Sequence, residues 1–468
     1  MMGVNSEREV EISQGPSSKV IWTDSIGLER TFIVPPTVYP PREDTTLLHR
    51  ALSRLKGKPG RLLEIGTGTG AIGTSMAEIG WEVCGIDVNP LAVVAARGNH
   101  RNSGVFEVLE NNIEDLEAHE NGAWDVITWN TPYLDSPENH SSSLGPLEEA
   151  ALSWEGKHPI RLLIELSSKK GMLNEQGCII ALVSSGDKTN IELGKAIAEG
   201  WSIRPIETRC NGGERTTVIA LWKGWEWNPI INKSVSTTME VLDEKDQPGR
   251  CAIAKEQFGG YGRNKENWIS KEGDITATWR ISGPTPPHFG VESMHMAASL
   301  AVIGAISTWE NEDYEFTTWK NSQKSKLSIK WPNDIFSLTS GEKVAGILLH
   351  AESKGEEIWI SCGIGINGLD REVDGKVIKG ISDSGLDGLE IHLHRHLSSW
   401  FDQHPRVPIV DQQFLQRRWW AASSKTQIIG ERRKRKNKPC VVSKISEKGL
   451  EIVTNTGIEV ISGIELTE

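Results

Sequence analysis

Asn130 stands at the end of an apolar alternation in "WDVITWNTPYLD", an amide displayed where a strand must stop. Proline cannot donate to a ladder and restricts the residue before it. Asn130-Thr131-Pro132-Tyr133 is therefore expected as a stiff loop at the strand's carboxyl end, the edge where open α/β sheets bind ligands. The Asn130 side-chain oxygen and the Thr131 carbonyl can there accept both hydrogens of a planar NH2 group, with Tyr133 packed on that group's face. Held so, the nitrogen's lone pair can be aimed at an electrophilic methyl. An Asn-Thr-Pro turn that only caps the strand is the alternative.

A partner for that loop lies upstream. "RLLEIGTGTGAIGTSMAEIG" reads as strand, glycine turn and helix, and "WEVCGIDVNPLAVVAA" as the next strand and helix, its strand ending on Asp87. Gly66, Gly68 and Gly70 let backbone approach a ligand at a helix amino end, and Asp87 can accept both hydroxyls of a ribose. Gly68, Gly70 and Gly73 also satisfy a dinucleotide spacing, so the glycines alone leave a structural turn, a dinucleotide site and S-adenosylmethionine open. Asn130, on the fourth such strand and so beside the same crevice, favours S-adenosylmethionine.

A second constellation lies in "KLSIKWPNDIFSLTSGEKVAGILLHAES". A strand is expected up to Lys330, a turn through Trp331-Pro332-Asn333-Asp334, and a return strand from Lys343 to Leu349, which brings Lys343 to the end that holds Asn333 and Asp334. A carboxylate attacking a phosphate is repelled by like charge, so such a site needs fixed cations, and Lys343 and Arg263 suit that role. Arg263 belongs to "AKEQFGGYGRNKENW", a glycine-rich loop able to close over an anion. "VSTT", Val235 to Thr238, supplies hydroxyls, and "WISCGIGING" brings Gly363 and Gly365 backbone to a ligand, followed by Asn367. A solvated lysine on a hairpin face is the alternative for Lys343.

The 468-residue chain is long enough for two or three domains. Breaks near Trp222 to Ser234 and near "WWAASSKTQIIG" suggest segments 1–226, 227–424 and 425–468, the last made of short strands. A net charge of -12 argues against a protein that coats nucleic acid nonspecifically. The six cysteines are scattered without metal-ligand spacing, so no protein-ligated metal is expected. No apolar run reads as a bilayer span and the opening residues are too polar for a signal peptide, which suggests a soluble cytoplasmic protein. "MHMAASLAVIGAIS" has the spacing of a buried helix, and "ERRKRKNK" reads as a solvated turn between two strands or as a basic finger.

"VYPPREDTTLL", "LEIGTGTGAIG", "GIDVNPLAV", "NTPYL", "GMLNEQGCIIALVS" and "GGERTTVIAL" together resemble the release-factor glutamine methyltransferases, over about Val38 to Trp222. The resemblance implies a Rossmann-like class I methyltransferase acting on the side-chain nitrogen of a glutamine in a peptide-chain release factor. It implies S-adenosylmethionine on Glu64, Gly66, Thr67, Gly68, Thr69, Gly70, Asp87 and Asn130, with Glu43, Asp44 and Thr45 nearby. The methyl acceptor would lie on Asn130, Thr131, Pro132 and Tyr133, and Asn112 or Asp115 beside the adenine. Thr131 replaces the first of the family's two loop prolines, which is expected to loosen the loop and cost rate. A catalytically silent module is the rival reading for this half.

From about Ser234 to Glu468 the chain resembles the biotin protein ligases, in Lys330-Trp331-Pro332-Asn333-Asp334, "KVAGIL" and "GIGIN". The fold implied is α+β, a mixed sheet with helices followed by a small β-barrel. The chemistry implied is the joining of biotin to ATP with magnesium, then transfer of the biotinyl group to a lysine of a carboxyl carrier protein. Ser236, Thr237 and Gln257 would bond the biotin ring and Gly363 to Gly365 would line its pocket. Thr238, Gly260, Tyr261, Gly262, Gly346, Asn333 and Asn367 would complete the biotin and adenylate site. The loop keeps one arginine, Arg263, where the family has several, so a leakier hold on the adenylate is expected. A lipoate or octanoyl transferase of the same fold is the rival reading here.

Overall fold

Apolar runs without alternation mark strands buried on both faces, and Cys178 to Leu182, all fully buried, form the clearest of them. The computed structural model describes residues 15–101, 104–118, 122–132, 157–211, 214–243, 245–262, 267–268, 270–285, 290–310, 316, 326–373, 375–382, 385–423, 430, 432–436, 438–446, 449–461 and 466–467. Two units result. The first holds Met1–Ala196, Ile203–Lys223 and Gln403–Ile409; the second holds Ile197–Ser202, Gly224–Asp402 and Val410–Glu468.

In the first unit a hairpin, β1 (Ser18–Thr23) and β2 (Glu29–Val34), precedes helix α1 (Glu43–Ser53). There follow β3 (Arg61–Ile65), α2 (Ala71–Glu78), β4 (Glu82–Asp87), α3 (Pro90–Asn99), β5 (Val105–Glu110) and β6 (Trp124–Asn130). The unit continues with α4 (Pro159–Ser168), β7 (Leu173–Ser184), α5 (Asp187–Ala198), β8 (Trp201–Asn211) and β9 (Glu214–Lys223). The sheet order β5-β4-β3-β6-β7-β9-β8 reverses direction between β3 and β6, so the carboxyl ends of those two strands open a crevice. Parallel pairing sets Ile65 beside Trp129, which brings Gly66 and Asn130 to the same rim. Beneath, α1 and α2 bury Leu48, Leu52 and Met76 against Leu62, Val126 and Ile180.

The distant strip Gln403–Ile409 completes this unit. Val407 is fully buried in the same core cluster, and Arg406 pairs with Asp125 at 2.7 Å. His404 packs on Trp222 and is pushed down to about 3, by burial first and then by the charges of Arg204, Lys56 and Arg406.

The second unit is built on β10 (Pro229–Val235), β11 (Cys251–Gln257), β12 (Ile275–Ser282), α6 (Val291–Trp309), β13 (Leu327–Lys330), β14 (Asp334–Ser337), β15 (Lys343–Lys354) and β16 (Glu357–Ile366). Its sheet runs β10-β11-β12-β16-β15-β14-β13, with β10 and β11 parallel and the pairs from β11 onward antiparallel, a mixed sheet. The hairpin β17 (Arg371–Val373) and β18 (Lys376–Ile378), α7 (Leu389–Phe401) and α8 (Gln412–Ser423) follow. Last come β19 (Arg432–Arg435), β20 (Lys438–Ser446), β21 (Gly449–Thr454), β22 (Gly457–Ile461) and β23 (Leu466–Thr467), ordered β22-β21-β20-β19-β23.

One expectation, the buried helix, holds, and two need correction. The return from Trp331 is not direct: β14 intervenes, pairing with β13 on one side and β15 on the other, because Ile335 and Phe336 each find a neighbour across the sheet. Helix α6 is apolar and long enough by composition to cross a membrane, but 78% of its span is buried inside the unit; its His295 is buried with the rest. Arg432 to Arg435 forms strand β19 itself and pairs with β20; the turn is confined to its end at Lys436.

His396, on α7, is also buried and pushed down to about 3, by burial and by the neighbouring His392 and Arg395. For His396 and His404 the folded state refuses a proton that the unfolded chain takes up below its ordinary value near 6.5. Stability is therefore full above about pH 6.5 and falls as pH drops toward about 3, by on the order of several kcal/mol per histidine. Thermal melts between pH 7.5 and 4.5 should show the midpoint falling, and His404→Phe should flatten the slope; an unchanged slope would reject this.

Candidate active sites

In the first unit, Gly66, Gly68 and Gly70 adopt φ of 62°, 54° and 78°, values an L side chain resists, and so fold the β3–α2 link back on itself. Their tasks differ. Gly66 and Gly68 line a cleft of about 380 Å3, while Gly70 sits outside its lining, where an added Cβ would come within 2.9 Å of Ala96. Asp87, at the end of β4, accepts the Gly68 and Asn89 amides at 2.9 Å each. Burial raises the pKa of its carboxyl, and these amide bonds work against that shift. Glu64 lies on the same floor, takes a hydrogen bond from the Thr67 hydroxyl at 2.7 Å, and is pushed up to about 8 by burial. Burial thus favours its protonated form beside Asp87, which limits the repulsion between the two neighbouring carboxyls.

Asn130, at the end of the neighbouring strand β6, lines the same cleft. Its Nδ2 donates to Asp44 at 2.9 Å, while its Oδ1 is buried and has no hydrogen-bond partner. The Asp44 carboxylate thus fixes which way the amide faces, because only the nitrogen end can serve a carboxylate. A buried, unpartnered oxygen costs on the order of 1–3 kcal/mol and is satisfied by a ligand donor. Thr131 and Pro132 line the cleft beside it; Tyr133 lies outside the described residues.

Thr67, Thr69, Asp44 and Thr45 also border this cleft. Glu43 does not, its carboxylate being paired with Arg209, and neither Asn112 nor Asp115 is part of the lining. Sequence reasoning missed Trp129, whose indole nitrogen lies 3.1 Å from where a Cβ on Gly66 would stand. Period-two alternation along β6 was the available signal, since Ile127 and Trp129 share a face. The fit to S-adenosylmethionine rests on Asp87 for a ribose, the close backbone at Gly66 and Gly68, and an apolar rim of Val38, Ile72 and Val88.

In the second unit a cavity of about 500 Å3 is bounded by Thr237, Thr238 and Gln257 on one side and by Asn333, Lys343 and Asn367 on another. Gln257 Oε1 accepts the Thr238 amide at 2.9 Å, and the Thr238 and Thr278 hydroxyls lie 2.8 Å apart. Lys343 Nζ is 2.7 Å from Asp334 and 5.8 Å from the Trp268 ring centre, half-exposed at the cavity's edge. Asn333 is buried and spends its side chain on the sheet, donating to the Ile347 carbonyl at 3.0 Å. Asn367 donates to the Lys343 carbonyl at 3.4 Å, tying β15 to the end of β16.

Gly346 and Gly365 face each other across β15 and β16, and Gly363 lies opposite Leu348. A Cβ on Gly365 would fall 2.4 Å from the Trp268 ring, and one on Gly363 3.2 Å from Met239. The glycines therefore admit two large side chains to the floor, and both Trp268 and Met239 line the cavity. Neither was anticipated. Tyr261 and Gly262 also line it, and Tyr261 forms a bridge with Asn267. Ser236, exposed, and Gly260 fall outside the lining. Arg263 and residues 264–266 lie outside the described residues. Among the described residues no group of three or more His, Cys, Asp or Glu side chains could hold a metal.

Two enzyme-like sites on two separate folds thus define the class, a methyltransferase-type α/β unit and a ligase-type mixed-sheet unit. Residues 230–367 match the model of the biotin/lipoate A/B protein ligase family, and residues 62–142 match that of a methyltransferase domain. A biotin--[acetyl-CoA-carboxylase] ligase of Paracoccus denitrificans is 33% identical over 143 residues, 30% of this chain and 53% of that protein. A release factor glutamine methyltransferase of Haemophilus influenzae is 29% identical over 206 residues, 39% of this chain and 68% of that protein. Its Salmonella typhimurium counterpart is 34% identical over 113 residues, 24% and 41% of the two chains. The chain spans about half the length of the first curated relatives it matches. The chain thus joins a region that matches a methyltransferase domain to one that matches the biotin/lipoate A/B protein ligase family.

Proposed function

We propose that the chain is a bifunctional protein-modifying enzyme, a biotin protein ligase joined to an S-adenosylmethionine-dependent N-methyltransferase, both working in the cytoplasm. The ligase acts on a carboxyl carrier protein and the methyltransferase on a glutamine of a peptide-chain release factor. The observation that carries the reading is the pairing of each pocket with one reactive polar group, Lys343 in the second unit and the unpartnered Asn130 oxygen in the first.

In the ligase half, the biotin carboxylate oxygen attacks the α-phosphorus of ATP, and the bond to the β-phosphate breaks to release pyrophosphate. Lys343, with Arg263 as a second cation, offsets the negative charge that builds there. Magnesium would sit on the nucleotide phosphates, with Asp334 and Glu342 the nearby carboxylates, and no step is assigned to it. The acceptor's neutral lysine amine then attacks the acyl carbon, AMP leaves, and the amine loses a proton. The small terminal sheet would close as a barrel.

In the other half, S-adenosylmethionine supplies an electrophilic methyl on a sulfonium. Asn130 Oδ1 and the Thr131 carbonyl hold the two hydrogens of the acceptor amide, which leaves its nitrogen facing that methyl. Asp87 holds the cofactor's ribose. The test is mass spectrometry of a carrier protein incubated with the chain, ATP and biotin, and of a glutamine-bearing release-factor peptide incubated with S-adenosylmethionine. A mass gain of one biotinyl group on a lysine and of one methyl on the glutamine is expected; absence of either removes that half of the reading.

A further inference from the structure

Thr131 stands where a proline was expected to stiffen the amide-gripping loop, and its surroundings show a different way of fixing it. It is 4% exposed. Its backbone amide donates to the Leu182 carbonyl at 3.1 Å, and its hydroxyl donates to the same carbonyl at 2.7 Å. Leu182 is the ladder partner of Asn130 and belongs to the fully buried stretch Cys178–Leu182 of β7, so the anchor lies in the core of the sheet. One residue earlier, Asp44 holds the Asn130 nitrogen. The two acceptors that would grip a substrate NH2, Asn130 Oδ1 and the Thr131 carbonyl, are thus tied down on both flanks.

We propose that Thr131 is a positioning residue for methyl transfer, its hydroxyl doing by a hydrogen bond what a proline ring would do by covalent restriction. The proposal rests on the methyltransferase reading above. A proline has no N–H and no hydroxyl, so it would leave the Leu182 carbonyl without either bond; the threonine uses both donors on one buried acceptor and fixes φ by pairing instead. The site is therefore preset for an acceptor with two hydrogens on one planar nitrogen, and the looseness expected from the threonine is removed by the neighbouring strand.

The experiment compares Thr131→Val and Thr131→Ser in the full chain. Valine keeps the shape and loses the hydroxyl bond; serine keeps the bond. Thr131→Val should lower kcat on a glutamine peptide by about tenfold, part of the roughly hundredfold that a 1 Å misplacement can cost. The dissociation constant for S-adenosylmethionine should stay within about twofold, since the cofactor's own holders are untouched. Thr131→Ser should restore kcat to within about threefold. Hydrogen exchange over residues 124–132 gives a readout without turnover: valine should speed it about tenfold and serine should not. Wild-type kcat and exchange in Thr131→Val, or a serine variant as slow as the valine one, would overturn the proposal. A chain that binds S-adenosylmethionine but methylates no glutamine peptide refutes the reaction, and the exchange rates alone then decide whether Thr131 holds the loop.

Discussion

Replacing Lys343 with alanine will lower formation of the biotinyl-adenylate by on the order of a thousandfold and leave methyl transfer unchanged. The lysine lines the second unit's cavity, 2.7 Å from Asp334 and beside the Trp268 ring. Its charge has two tasks. It pairs with Asp334, which would otherwise repel an incoming carboxylate and polyphosphate, and under the proposed ligase reading it meets the charge that develops as the carboxylate attacks phosphorus. Removing it exposes the reacting anions to Asp334 and Glu342 together, which line the same cavity. Loss of one preorganised donor typically costs a hundred- to a thousandfold, and the uncovered carboxylate adds to that. Lys343→Arg should recover only part of the rate, because a delocalised guanidinium, free to stack on Trp268, does not present the compact point charge of an ammonium to the reacting phosphate. Pyrophosphate release measured with biotin and ATP checks both variants; an alanine variant within tenfold of the parent would remove Lys343 from the chemistry.

Asn130→Ala is expected to lower methyl transfer by about a hundred- to a thousandfold with S-adenosylmethionine affinity altered by less than about threefold. The distinction follows from geometry. On this reading Asp87 and the Gly66–Gly68 turn, which line the cleft, hold the cofactor, whereas the Asn130 oxygen is buried and without a hydrogen-bond partner. Alanine removes the oxygen that would hold the acceptor and frees Asp44 to draw the acceptor's hydrogens toward itself, in the wrong direction. Asn130→Asp keeps an oxygen in place but sets a second carboxylate 2.9 Å from the Asp44 oxygen, so like-charge repulsion should make it no better than alanine at neutral pH. Calorimetric titration with the cofactor beside single-turnover methylation separates the two effects. If affinity and rate fell together, Asn130 would be a cofactor contact and not an acceptor clamp.

Much of this was legible before any coordinates. Asn130 at the end of an apolar strand, the glycine turn and Asp87 lie on consecutive strand ends, and parallel β–α–β connections bring such ends to one rim. Lys343 and Asn333 were placed at one end of a hairpin for a reason that was only partly correct. The four-residue strand β14 intervenes, and its brevity hides the alternation that would reveal it. What could not be read depends on register and on long-range packing. Trp268 and Met239 reach the ligase floor because Gly365 and Gly363 lie under them, and a glycine does not announce which side chain will fill the space above it. The strip around Val407 joins the methyltransferase core from nearly two hundred residues downstream, beyond any local pattern. The hydroxyl bond from Thr131 to Leu182 needed the pairing of β6 with β7, which the sequence leaves open.

The most direct measurement is equilibrium titration of a single preparation of the full chain, first with S-adenosylmethionine and then with biotin plus ATP. One equivalent of each should bind, with Asp87→Ala abolishing only the first and Lys343→Ala weakening only the second. A chain that takes up neither cofactor nor biotin at the expected stoichiometry, or in which one substitution abolishes both, would contradict two separate catalytic pockets on one polypeptide.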